Sequence, residues 1–175
     1  MENVKSGARI GGIFTLECFD EKGNLKWVEE APNIITNEGL DSILNVYLHG
    51  ATQITTWYCV LSETDTAAAA AMTYATPVFT ETEAYDEATR PEYVEAAASS
   101  QSITNSANKA VFTISGTKTL YGAALVGGGT AATTKSDAAG GGTLPCYAKF
   151  TASRAVVDND VVNLTYAVSA ADDGV

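Results

Sequence analysis

The stretch PNIITNEGLDSILNVYLHGATQITTWYCVLS, from Pro32 to Ser62, decides how the rest of the chain reads. Leu40, Ile43, Leu44, Tyr47 and Leu48 recur at i, i+3, i+4, i+7 and i+8, which predicts an amphipathic helix over 37–48. Thr36 or Asn37 offers a side-chain oxygen to the unpaired N–H groups of its first turn, and Gly50 can take the left-handed conformation that ends it. The apolar stripe is expected to lie against the core. A strand follows, with Thr56, Tyr58 and Val60 alternating against Trp57, Cys59 and Leu61. Both of its faces are largely apolar, which predicts a place near the middle of a sheet.

Working outward, Ile10 to Asp20 alternates as a strand, Glu21-Lys-Gly-Asn24 reads as a turn, and Leu25 to Glu29 returns as the partner of a hairpin. Pro32 and Asn33 break it. Further along, 110–114, 119–126, 144–154 and 161–169 read as strands, and Gly122 marks a bulge or the close approach of another backbone. Ala67–Ala71 favours a short helical turn. Residues 72–93 form a long acidic excursion carrying Glu81, Glu83, Asp86, Glu87 and Glu92, with a strand expected near Tyr93–Ala97. Gly127 to Thr143 is low in complexity and is expected to be a flexible tip, mobile or ordered only against a partner. Seven or eight strands and one short helix make a mainly β chain. The expected fold is an antiparallel β-sandwich, jelly-roll-like, over residues 11–170, between an N-terminal arm (1–10) and a C-terminal tail (171–175).

The net charge of −11 would repel phosphate backbones, and no run of Lys or Arg offsets it, so nucleic acid is not an expected partner. No apolar span approaches membrane length, and no leader peptide is read at the N-terminus; a membrane is not expected as a partner either. Cys18, Cys59 and Cys146 are widely spaced in strand-like contexts and read as buried free thiols.

The chain carries little that looks like catalytic chemistry. His49 is its single histidine, and nothing in the sequence sets a nucleophile and a carboxylate beside it. The triplets Gly127–Gly129 and Gly140–Gly142 lack the strand and helix context of a phosphate loop, and the acidic pair Asp86 and Glu87 lacks calcium-loop spacing. No catalytic, metal or cofactor residue is expected. A structural or binding protein fits better than an enzyme.

Together, Asn33-Ile-Ile-Thr-Asn-Glu-Gly-Leu-Asp-Ser-Ile-Leu44, Thr56-Trp-Tyr-Cys-Val-Leu61, Tyr121-Gly-Ala-Ala-Leu-Val126, the Gly-rich loop, Phe150-Thr-Ala-Ser-Arg-Ala-Val-Val-Asp-Asn-Asp160 and Val162-Asn-Leu-Thr-Tyr166 make a pattern. Taken in order, they resemble the small virion structural proteins of tailed bacteriophages, of the capsid decoration or cement type. The resemblance runs over roughly residues 11–170; the middle, 63–100, follows it poorly, and Cys59 stands where a small residue would be expected. It implies a β-rich homo-oligomer, a trimer or dimer, made in a bacterial cytoplasm and bound to the major capsid protein on the outer surface of the head. A tail or fibre-base component is the related alternative. From another class, a receptor- or carbohydrate-binding sandwich would use Trp57, Tyr58, Tyr85 or Tyr93 as stacking rings. The N-terminal arm, with Lys5, Arg9 and Ile10, and the loop around Lys135 are the expected contact segments. Ordering each residue of such a segment costs about 1–2 kcal/mol, which a partner surface can offset.

Overall fold

The computed structural model describes residues 7–172. Alternating apolar residues give nine strands: β1 (Ala8–Phe19), β2 (Leu25–Pro32), β3 (Ile34–Ile35), β4 (Trp57–Ser62), β5 (Ser102–Thr104), β6 (Ala110–Thr113), β7 (Lys118–Gly127), β8 (Thr143–Val156) and β9 (Val161–Asp172). The helix, α1, spans Asn37–Leu48. One antiparallel sheet runs β2-β1-β9, with β5 and β6 both lying along the far edge of β9; the other runs β3-β8-β7-β4. This is the expected two-sheet sandwich, with nine strands among the described residues.

Two apolar layers hold it. Between the sheets, Phe14, Leu16, Phe112, Val162 and Leu164 of one face meet Cys59, Leu61, Leu120, Cys146 and Phe150 of the other. All three thiols are free and buried. The second layer lies on the outer face of the β3-β8-β7-β4 sheet. There Val60, Val126, Leu144 and Tyr147 are covered by Met72, Tyr74, Phe79 and Ala132 from the two long loops. Gly122 sits at a register shift between β7 and β8, and a Cβ there would stand 2.7 Å from the Ala148 carbonyl oxygen, as its place in the sequence predicts.

Several expectations are corrected. β4 does have two buried faces, but it is the last strand of its sheet, not a central one. The acidic excursion takes the place of a neighbouring strand: Cys59 N–H donates to Pro91 O (2.8 Å), Tyr93 N–H to Trp57 O (2.8 Å) and Thr82 N–H to Leu61 O (2.9 Å). An exposed edge is thereby closed by irregular chain. No strand forms at Tyr93–Ala97, where Glu92 makes a single bridge to Tyr58. The alanine run forms no helix but ends in a single hydrogen-bonded turn, Met72 N–H to Ala69 O (3.1 Å); Ala70 O accepts the Asn37 N–H at 2.8 Å, and Ala68 packs against the outer layer. The sheet takes in the last residues assigned to the arm and the first of the tail, because Ala8–Ile10 extend β1 and pair with Ala170–Asp172 of β9.

The largest correction concerns the helix. Its apolar stripe does not face the core: Leu40, Ile43, Leu44, Tyr47 and Leu48 are all exposed, Tyr47 at 85%. The fully buried position is Gly39. Because glycine has no side chain, the helix backbone closes directly on Pro145; a Cβ at Gly39 would stand 2.7 Å from Pro145 Cα and closer still to its carbonyl oxygen. The first turn supplies the other ties. Thr36 caps it by accepting from Gly39 N–H (3.0 Å) while donating to Leu144 O (2.5 Å). Glu38 accepts from Leu144 N–H (2.6 Å) and Tyr74 N–H (2.9 Å). The helix is thus anchored by its polar, small-residue side.

Candidate partner interface

Around α1 the residues sort by face. Gly39, Ser42 and Val46 turn toward the protein. On one flank, Glu38, Asp41 and Asn45 border a cleft with Thr52, Thr73 and Thr143. On the other, Ile43 stands at the rim of a cavity of about 240 Å³ at the open end of the sandwich. Ile10, Ile35, Trp57, Ile103 and Val168 line its walls, with Gln53 and Glu95 among its polar members. Leu40, Leu44, Tyr47 and Leu48 point outward between the two flanks. Full burial of side chains of this size stabilises by about 1.5–3 kcal/mol each, so an exposed row of five leaves several kcal/mol available to a partner. Contiguous exposed apolar surface of this kind marks interaction sites.

The cavity floor is made of groups that stay neutral. Burial pushes the Cys146 thiol up to about 12, and burial, followed by the neighbouring Cys146, raises the Tyr166 hydroxyl well above its ordinary value. Tyr93, which donates to Tyr166 O at 3.2 Å, is raised by burial as well. The site therefore offers apolar contact and shape, with carboxylates only at its margins.

Of the expected contact residues, Lys5 lies outside the described residues. Arg9 is exposed on β1, opposite Ala171. Ile10 is half-buried and joins the α1 cavity, which brings it within the same surface as Ile43. Lys135 is turned inward instead. Its ammonium donates to Tyr85 O (2.6 Å) and Glu83 O (3.4 Å) and stands 3.8 Å above the Tyr85 ring. His49 is exposed at the helix C-cap.

The loop that carries Lys135 is not a free tip. Arg90, 3% exposed, reaches into it and donates to Ala132 O (3.0 Å) and Asp137 O (3.0 Å). The same guanidinium grips Glu81 through Nε (3.0 Å) and Nη2 (2.6 Å), and Ser136 N–H donates to that carboxylate at 2.9 Å. Tyr74 Oη donates to Asp137 at 2.6 Å. Burial works to lower the Arg90 guanidinium, but the hydrogen bonds and charge of Glu81 outweigh it and leave it raised. For Glu81 burial is the larger effect and holds its carboxyl above the ordinary value. This network fixes the cover on the outer layer; all five guanidinium N–H groups have partners within it, leaving none for an external anion.

The sequence signalled the helix stripe but assigned it to the core, and gave no signal for the cavity, whose walls come from β1, β3, α1, β4, β5, β7, β8 and β9. Among the described residues no three His, Cys, Asp or Glu side chains converge as a metal site. No helix there is long and apolar enough to cross a membrane. The sequence matches no protein-family model and no curated protein.

Proposed function

We propose that the chain is a virion structural protein of a tailed bacteriophage, a decoration or cement protein that binds the outer surface of the head as a homo-oligomer and stabilises the shell. The observation that carries this reading is the exposed row Leu40, Ile43, Leu44, Tyr47 and Leu48 on one helix beside an apolar cavity. Such a face suits a protein that works by being held on another protein. The resemblance of the Asn33–Leu44 and Thr56–Leu61 segments to small phage virion proteins supplies the class of partner. Repeated copies on a symmetric shell make a modest contact effective.

The carbohydrate-binding reading is less well supported, because two of its four rings are unavailable: Tyr85 and Tyr93 are 3% and 5% exposed. Cosedimentation of the purified chain with expanded, undecorated shells and with isolated tails of the encoding phage tests the proposal. Saturable binding to shells is expected. Binding to tails alone would move the protein to the tail, and binding to glycan arrays without binding to either would overturn the structural reading.

A further inference from the structure

We infer that the α1 face and the cavity beside it form one docking site for a protein segment with an apolar ridge that inserts one aromatic or branched side chain and is bordered by Lys or Arg. The inference rests on the proposed function for the identity of the partner, and on the geometry alone for its chemistry.

Continuity comes first. Ile43 belongs both to the exposed row on α1 and to the cavity rim, so the two surfaces meet without a polar break. Size comes next. An apolar cavity of roughly 150 Å³ is enough to hold benzene, and this one measures about 240 Å³. It admits one large side chain, the usual anchor of an interface. Its walls are Ile10, Ile35, Trp57, Ile103 and Val168, which offer contact and no ionic partner.

The margins set the sign. Glu38 and Asp41 border the cleft on one flank of α1, and Glu95 the cavity on the other; neither lining contains a Lys or Arg. A segment laid along Leu40–Leu48 therefore has carboxylates on both sides. Basic residues at its border are attracted, and the low salt screening of a partly desolvated rim strengthens the selection. A second copy of this chain docked through the same face would set its own Glu38, Asp41 and Glu95 against these carboxylates, so like charges would oppose pairing through α1 and leave self-association to other surfaces. An anionic lipid surface is disfavoured on the same ground.

Because Leu44 and Tyr47 are exposed, Leu44→Ser/Tyr47→Ser removes the ridge contact without touching the core. Shell binding by the full chain and by this double variant, with melting temperatures for both, gives the first reading. At least a tenfold loss of affinity at an unchanged melting temperature is expected. Asp41→Lys/Glu95→Lys is expected to weaken binding several-fold and to flatten its salt dependence. Wild-type affinity in both variants would overturn the inference while leaving the decoration role standing.

If the wild-type chain bound no shells, the decoration reading would fail, and a synthetic helical peptide of Leu, Phe and Lys decides the inference separately. It is expected to shift the amide resonances of 37–48 in the wild-type protein and not in the double variant, whereas the same peptide with Glu for Lys has no effect. Equal responses to both peptides, or none, would overturn it. So would sedimentation showing self-association that Leu44→Ser/Tyr47→Ser abolishes, since a second copy would then be the occupant.

Discussion

At Arg90 a single side chain links chain segments that the sequence keeps far apart. Its guanidinium holds Glu81, Ala132 and Asp137 together, and its backbone N–H donates to Thr133 O at 2.9 Å. Removing one partner of a buried pair strands the other charge, so Arg90→Ala is expected to cost about 3–5 kcal/mol. Replacing both, as in Arg90→Met/Glu81→Leu, is expected to cost much less. Urea midpoints of the single and double variants check this; a single variant as stable as wild type would show that the loops hold without the pair. The thiols make a second prediction at this scale. Burial raises Cys18 and Cys146 from 9.0 to about 12, and raises Cys59 as well. They stay protonated in the folded chain, while an unfolded thiol ionises near its ordinary value. Their contribution to stability is thus complete below about pH 9 and is lost as pH rises toward the folded value. Melting temperatures measured from pH 7 to 11 are expected to fall above pH 9, and less steeply in a Cys18→Ala/Cys59→Ala/Cys146→Ala variant. Parallel curves would contradict the assignment.

α1 shows what sequence periodicity can and cannot resolve. Its bounds and its apolar stripe were legible, and its cap was narrowed to Thr36 or Asn37, because each depends on residues within a turn or two of one another; the structure picks Thr36. The direction of the stripe was not, because it depends on Gly39 meeting Pro145, more than a hundred residues away. A stripe shows which side of a helix is apolar; it does not show whether the partner is the same chain. The loop over 127–143 failed for a related reason. Its composition looked unstructured, yet its carbonyls are met by Arg90, which belongs to the other long loop. The strand edge of β4 likewise took its neighbour from an acidic segment without strand alternation. Gly39→Ala separates the two levels. In an isolated helix alanine is favoured by about 1 kcal/mol. Here its Cβ would collide with backbone at Pro145, so the variant is expected to melt lower than wild type. A higher melting temperature would mean that α1 is not seated as described. Leu44→Ala, by contrast, is expected to change stability by less than about 1 kcal/mol, since Leu44 is 55% exposed.

At the scale of the domain, the nine strands of the described residues bury two apolar layers, an internal ion pair pins the loops, and among these residues five large apolar side chains of one helix remain exposed. Selection for stability alone offers easy ways to remove such a face, because exposed positions accept polar residues at little cost. Its presence on an acidic domain is the basis for placing the protein on a partner surface, with the phage head as the proposed one. The most direct measurement is an electron cryo-microscopy map of expanded shells saturated with the purified chain. Added density is expected on the outer surface, joined to the shell through α1, with a shell side chain seated between Ile43 and Trp57. Density in which α1 faces solvent, or shells that remain bare at saturating protein, would contradict it.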